Sequence, residues 1–118
     1  MGHLHVKTME IEITLPLDKK WKVCEVPTDS EKLLWKNAAP AWGMTWYREK
    51  SIYIDKELPK DQKIDTIRHE LTHAVIFETQ FAHNKKYNEE DLCDLMGIYG
   101  KIINDLADKV YNKFVKEK

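Results

Sequence analysis

Residues 66–75 read Thr-Ile-Arg-His-Glu-Leu-Thr-His-Ala-Val, and they place His69 and His73 four positions apart. On an α-helix, residues four apart lie one turn further along the same face, so both imidazoles can reach one metal ion from a single rigid element. Glu70 then lies about 100° around the helix from His69, beside such an ion. The alternative is a pair of core or surface histidines that share this spacing by chance.

The residues around the motif predict a helix over 60–80 that is buried on more than one side. The two histidines fall almost opposite the main apolar arc, and Ile76 and Phe77 flank them. An ordinary amphipathic helix has a single apolar stripe, whereas this one is apolar nearly all round in its second half. We therefore expect another element to cover the histidine face. The main apolar arc comprises Ile64, Ile67, Leu71, Ala74 and Val75.

The first half of the chain predicts a small sheet. Alternation of apolar and polar residues, typical of half-buried strands, recurs before the motif. It covers residues 9–15, 21–26, 43–47 and 51–55. The break at 16–20 favours a hairpin between the first two strands. Ile52 and Ile54 should face the same side of the last strand.

Two further helices are expected. Thr28-Asp29-Ser30-Glu31 has the form of a capping box and predicts a helix of two or three turns ending near residue 37. Asn88 is a favourable N-cap, and apolar residues at helical spacing continue from Glu89 to the end of the chain. Gly97 and Gly100 could kink that last helix.

These elements predict an α+β fold: a small, mainly antiparallel sheet packed on the motif helix and a long C-terminal helix. The 118 residues suit one compact domain over 9–118, with residues 1–8 as a polar leader or disordered N-terminus. Apolar residues make up 42% of the chain and charged residues 33%, as in ordinary globular proteins.

Composition also limits the function. A net charge of −1 argues against binding to nucleic acid or anionic lipid. The four tryptophans could stack on single-stranded nucleic acid, but without a basic stripe we expect them to fill the core. No apolar run is long enough for a membrane span, and no secretory signal is evident. Cys24 and Cys93 are too few for a disulfide framework, so a cytoplasmic location with reduced thiols is expected, with Cys93 in the core.

Two histidines leave a zinc ion short of ligands, because a catalytic site needs three protein ligands and one position for water. Glu90, at the start of the last helix, is the predicted third ligand, with Glu89 as the fallback. Asp94 lies one turn further and could accept a hydrogen bond from a zinc-binding imidazole. Gly97 shares that face and would let the helices approach closely. His83, in the preceding loop, is expected to be solvated.

The alternative for this acidic cluster is electrostatic. Acidic residues are favoured in the first turn of a helix by its dipole, and Glu90 and Asp94 lie opposite the apolar stripe, where solvated charges are common. The incomplete metal site at the upstream motif favours Glu90 as a ligand.

The pattern His69-Glu70-x-x-His73 followed by Glu90-x-x-x-Asp94 resembles that of the gluzincins, the thermolysin-like zinc metallopeptidases. In that group the later Glu is the third zinc ligand and the Asp supports a zinc histidine. The resemblance implies a minimal zincin-like domain with one zinc ion per chain. It also implies that Glu70 is the catalytic Glu.

More narrowly, residues 52–94 resemble the small metallopeptidase-like proteins of phages and mobile elements allied to the ImmA/IrrE group. The chain departs from large gluzincins in having no second domain and no clear match to their transition-state-stabilising His or Tyr. We therefore expect a zinc metallopeptidase that hydrolyses a peptide bond in a peptide or protein substrate. The alternatives are a non-catalytic zinc-containing regulator that binds a partner protein, and a zinc ion that only pins two helices together.

Overall fold

The computed structural model describes residues 9–34, 41–83 and 86–116. Within them, four strands precede two helices. The strands are β1 (Met9–Leu15), β2 (Lys19–Val26), β3 (Gly43–Trp46) and β4 (Ser51–Asp55), and the helices are α1 (Lys60–Glu78) and α2 (Glu89–Lys116). Short 3₁₀ turns lie at Pro16–Asp18, Glu31–Leu33 and Gln80–His83. The proposed leader, residues 1–8, lies outside the described residues.

The four strands form one mixed sheet in the order β1-β2-β4-β3. β1 and β2 form the expected antiparallel hairpin, and β3 and β4 form a second antiparallel pair. β2 and β4 run parallel. β3 follows β2 in the sequence but lies on the far side of β4 in the sheet, and the 47–50 turn then leads the chain back into β4. The predicted α+β class is confirmed, and two of the three strand pairings are antiparallel.

One face of this sheet packs against both helices and forms the main core. Ile52 and Ile54 lie on that face, as their spacing predicts, with Ile67 and Leu71 of α1 and Val110 and Phe114 of α2 in the same cluster. The opposite face carries a smaller cluster of Cys24, Val26, Leu33 and Tyr53. Because side chains alternate between the two faces of each strand, one set packs against the helices and the other set forms the smaller cluster.

The prediction of a helix of two or three turns after the capping box is wrong. Only the 3₁₀ turn Glu31–Leu33 forms, and Ser30 caps it by accepting a hydrogen bond from the Lys32 backbone N–H at 3.2 Å. Leu33 is fully buried in the smaller cluster, and Leu34 is already extended. Burial of Leu33 therefore ends the turn early, and the predicted end of the helix lies outside the described residues.

α2 begins as predicted. Asn88 Oδ1 accepts from the Asp91 backbone N–H at 2.9 Å, and Asp91 Oδ2 accepts from the Asn88 N–H at 3.1 Å, a reciprocal cap. The helix continues without a break through Gly97 and Gly100. No helix in the described ranges is long and apolar enough to cross a membrane.

Two core assignments are corrected. Cys93 is exposed on α2, whereas Cys24 is buried, and burial raises the pKa of the Cys24 thiol to about 11. The tryptophans divide: Trp21 is buried in the main core, and Trp42 is 56% exposed. Periodicity predicts which face of a helix or strand is apolar. It does not predict which residues of that face lie beyond the neighbouring elements and so stay exposed.

A buried ion pair, not foreseen from the sequence, ties α1 to the sheet. Lys63 Nζ lies 2.6 Å from Glu25 Oε2, and both side chains are at most 5% exposed. The same ammonium donates to the Lys56 carbonyl oxygen at 2.8 Å. Because an unpaired charge is costly at such depth, this pair fixes how α1 sits on β2.

Replacing Lys63 by Met should therefore lower the free energy of unfolding by about 3–5 kcal/mol, since it removes one partner of a buried ion pair. Urea denaturation measures the change. Lys101→Met is the matched control, because Lys101 forms an equally short pair with Asp105 but is 86% exposed. That control should show no measurable change. Equal stabilities of the two variants would contradict a structural role for the buried pair.

Candidate metal centre

The two motif histidines lie side by side on α1. His69 Nε2 and His73 Nε2 are 3.3 Å apart, and the ring centroids are 4.9 Å apart. Two nitrogens bound to one tetrahedral zinc ion at about 2.0–2.1 Å would be separated by about 3.3–3.4 Å. The spacing therefore suits a shared metal ion, although one imidazole N–H donating to the other ring would also produce it.

The histidine face is open, which corrects the expectation that another element covers it. His69 is 68% exposed at its side chain, His73 is also exposed, and Phe77, one turn further, is 45% exposed. Ile76 and Phe77, which flank the histidines, are thus only partly enclosed by the described residues. An open face leaves room for a ligand or substrate beside the histidines.

Glu70 is buried next to this exposed pair. It is 7% exposed, and its Oε1 accepts a hydrogen bond from the Thr45 hydroxyl of β3 at 2.8 Å. The other oxygen, Oε2, lies 3.9 Å from His69 Nε2. One carboxylate oxygen is therefore held by the sheet, while the other lies beside the His69 imidazole.

Gly43 allows β3 to come this close to α1. A Cβ at position 43 would lie 2.7 Å from Thr66 Cγ2, 3.0 Å from Glu70 Cγ and 3.3 Å from Glu70 Oε2. Contacts this short are repulsive, so any larger residue would push the strand away from the helix. The absence of a side chain at Gly43 is what brings Thr45 within hydrogen-bonding distance of Glu70.

β3 is an edge strand, paired within the described residues with β4 alone. The Asp55 backbone N–H donates to the Trp42 carbonyl at 2.9 Å, so in the antiparallel pattern Met44 and Trp46 also direct their backbone groups to β4. Gly43 and Thr45 then present their N–H and C=O groups to the free edge.

Two clefts lie along this edge. The first, which we call the Trp42 cleft, has a volume of about 370 Å³ and is lined by Trp42, Gly43, Gln62, Asp65, Thr66, His69 and Glu70. The second, the Tyr47 cleft, has a volume of about 260 Å³ and is lined by Ala41, Gly43, Met44, Thr45, Tyr47, His69, Glu70 and His73. Both clefts include Gly43, His69 and Glu70 in their lining, so we refer to them together as the groove beside the motif residues.

The structure does not bring the proposed third ligand to the histidines. In the described part of the chain, no three His, Cys, Asp or Glu side chains are grouped closely enough to hold a metal ion. Glu89, Glu90, Asp94 and His83 are all exposed. Glu90 and Asp94 therefore stay predictions as ligand and supporting residue.

The reason lies in the rotation of α2. Asp94 precedes the buried Ile103 by nine residues, which places it about 180° around the helix from that core position. Glu90 lies one turn before Asp94 on the same side. The expectation that Gly97 lets the two helices approach closely is wrong, because a Cβ at Gly97 would meet no atom of the described residues within 4 Å.

Thr45 and Tyr47 were not identified from the sequence. Burial raises the pKa of the Tyr47 phenol, and the Glu70 carboxylate and Tyr87 raise it further, so the hydroxyl stays protonated. A signal exists for Thr45, because Gly43 and Thr45 alternate along one strand and so share a face. Tyr47 follows that strand, at the start of the 47–50 turn. Once that face is known to lie against the motif helix, these residues become candidates.

No protein-family model matches the chain, and no curated protein and no solved structure matches it either. The resemblance to gluzincins therefore stays a prediction that depends on the motif residues. The site is defined by its geometry, which joins the paired imidazoles of α1 to a buried carboxylate held by β3.

Substitution of Gly43 by Ala should lower the free energy of unfolding by about 1–3 kcal/mol, because the added methyl group overlaps Thr66 and Glu70. Gly97→Ala is the matched control. Its methyl group enters open space on a helix, so stability should rise by up to about 1 kcal/mol. Thermal or urea unfolding measures both. Changes of the same sign in the two variants would contradict the close approach of β3 to α1.

Proposed function

We propose that the protein is a zinc-dependent peptidase that hydrolyses a peptide bond in an extended peptide or protein segment. The observation that carries this proposal is the position of a buried, anchored carboxylate oxygen 3.9 Å from one of two adjacent imidazole nitrogens, beside an open groove. A bound zinc ion would polarise the carbonyl of the substrate and make a water molecule more acidic.

The residues of the chain divide the remaining work. His69 and His73 bind the metal through Nε2. Glu70 is the general base: Oε2 accepts a proton from the attacking water and later delivers it to the leaving amine. Thr45 positions Glu70, since its hydrogen bond to Oε1 keeps the carboxylate from rotating away. The nearly complete burial of Glu70 also shields the proton transfer from bulk solvent.

A peptide is the favoured substrate because the groove runs along a free strand edge. The outward N–H and C=O groups of Gly43 and Thr45 can pair with an extended chain, which would add a strand to the sheet. Such pairing would bring a backbone carbonyl past Glu70 and the histidines. Side chains of the substrate would enter the Trp42 and Tyr47 clefts on either side.

Glu90 remains the proposed third ligand. It lies in the first turn of α2, exposed and on the side opposite the packed face, so binding zinc would require this end of the helix to turn toward α1. The Tyr47 cleft, which His73 lines, supports this proposal because it leaves space for a carboxylate beside that histidine.

The second candidate is a regulator that binds a partner segment along the same edge without cutting it. The grouping of only two metal-binding side chains in the described residues favours this alternative, since a working zinc peptidase needs three. Glu70 distinguishes the two candidates, because a site that only binds has no use for a buried carboxylate beside the metal.

The metal assignment makes a first prediction. Protein purified without chelators should contain one zinc ion per chain, and His69→Ala, His73→Ala or Glu90→Ala should each weaken zinc binding by more than about 100-fold, which exceeds the usual effect of removing an outer-shell partner. Metal analysis and competition with a chelator measure this. Asp108→Ala, which removes an exposed carboxylate from the same helix, is the control. Full zinc retention in Glu90→Ala would contradict Glu90 as the third ligand and favour Glu89, His83 or Asp94 in that role.

A second prediction separates the enzyme from the regulator. Glu70→Gln keeps the shape of the side chain but removes the base, so zinc should stay bound while peptide hydrolysis falls by about 10²–10⁴-fold. A peptide library read by mass spectrometry measures cleavage, and Glu12→Gln on β1 is the control. Intact activity in Glu70→Gln would exclude this mechanism. A partner bound equally by both forms, with no cleavage by either, would favour the regulator.

A further inference from the structure

α2 carries a second apolar strip outside the core. Ile98 is 52% exposed and Ile102 is 40% exposed, and because they are four residues apart they lie on one face of the helix. Ile102 lies about 100° around the helix from the buried Ile103. A surface helix normally places polar side chains beside its buried stripe, so two adjacent exposed isoleucines indicate a surface for a further contact.

This strip faces away from α1. The ammonium of Lys60, the first residue of α1, lies over the Tyr111 ring at 5.9 Å from its centroid, so Tyr111 marks the side of α2 that meets α1. Tyr111 follows Ile102 by nine residues, which places the two about 180° apart around the helix. A partner bound to the strip therefore contacts the side of α2 opposite to the helix that carries the histidines.

Charged side chains of opposite sign lie at the two ends of the strip. Asp91 precedes Ile98 by seven residues, about two turns of helix, and so shares its face. Lys113 follows Ile102 by eleven residues, about three turns, and is exposed on that face as well. The strip is thus acidic at its amino end, apolar in the middle and basic at its carboxyl end. A surface with this order is complementary to a reversed copy of itself.

We infer that a second copy of this chain binds the strip, with the two α2 helices antiparallel and a two-fold axis beside Ile102. The axis pairs residues that lie at equal distances from Ile102. Ile98 packs on Leu106 of the partner subunit, each four residues from the axis. Asp91 pairs with Lys113 of the partner subunit, each eleven residues from it. Because a two-fold interface repeats every contact, the charge pair forms at both ends.

Charge favours this occupant and this orientation. A parallel pair would bring each Asp91 beside the same residue of the other copy, and likewise each Lys113, and both contacts are repulsive. The net charge of −1 adds little repulsion between two copies. Asp91 keeps its capping role in the dimer: its Oδ2 accepts from the Asn88 N–H, and a carboxylate has further positions that accept a hydrogen bond.

The test begins with the full chain. Sedimentation equilibrium at about 100 µM should show a reversible dimer of about 28 kDa, twice the 14.0 kDa of one chain. Ile102→Asp places two carboxylates together on the axis, so the dissociation constant should rise by more than about 100-fold. Val115→Asp is the matched control, because Val115 is 51% exposed on the same helix but lies about 140° around it from Ile102. Circular dichroism checks that both variants stay folded.

The charge pairs have a test of their own. Lys113→Glu brings like charges together at both ends of the interface, so it should weaken the dimer by more than about 10-fold. Added salt should weaken the wild-type dimer, because it screens exposed charges. Lys60→Glu makes the same change of charge on the opposite side of α2 and should dimerise as the wild type does.

A cross-link tests the orientation. In a Cys93→Ser background, Ile102→Cys should form a disulfide-linked dimer on mild oxidation, because the axis brings that position against its own copy. The native Cys93 is exposed but lies nine residues before Ile102, about 180° around the helix, so the wild type should not cross-link. Cys24 is buried and does not compete.

Three results would overturn the inference: a wild type that stays monomeric at about 100 µM, a dimer that survives both Ile102→Asp and Lys113→Glu, or cross-linking through Cys93 instead of position 102. The proposed peptidase function is independent of all three, because the strip shares no residue with the groove or with the proposed metal ligands.

Discussion

The hydrogen bond from Thr45 to Glu70 is the contact on which the candidate site depends. It spans from the edge strand to the middle of α1, and it forms only because Gly43 lets the strand lie against the helix. A carboxylate beside a metal has little catalytic value if it can rotate into solvent. Here one oxygen is fixed by the sheet, so the direction of the other follows from the fold.

This contact acts together with the buried pair of Lys63 and Glu25. Lys63 and Glu70 are seven residues apart, about two turns of helix, so both face the sheet. With one anchor on β2 and the other on β3, α1 can neither roll nor tilt without breaking a buried polar contact. These two anchors also set the direction of His69 and His73, since the histidines lie about 60–100° around the same helix from Glu70.

The sequence predicted those features that depend on local periodicity. The strands, the α1 and α2 spans and the Asn88 cap follow from alternation, helical spacing and side-chain capping, and all are observed. It failed where the outcome depends on how far one element extends past another. The apolar residues that flank the histidines predicted an element packed over the histidine face, and no described residues pack there. The apolar stripe of α2 predicted a helix but not the position of its first turns relative to α1. The roles of Gly43 and Thr45 were not predicted, because a glycine or threonine in a strand has no recognisable role until the helix that packs against the strand is known.

The parallel pairing of β2 with β4 bears on the order in which the molecule assembles. The β1–β2 hairpin joins residues close in sequence, whereas β2 meets β4 only after the chain has closed a loop of more than twenty residues. Because closing such a loop costs entropy before its contacts are made, the local hairpin should form early and the β3–β4 pair should dock later. The histidines, carried on one helix, can come together before Glu70 is anchored. In the proposed enzyme, metal binding would then precede the completed site in folding, and Glu70, the proposed general base, would be fixed last.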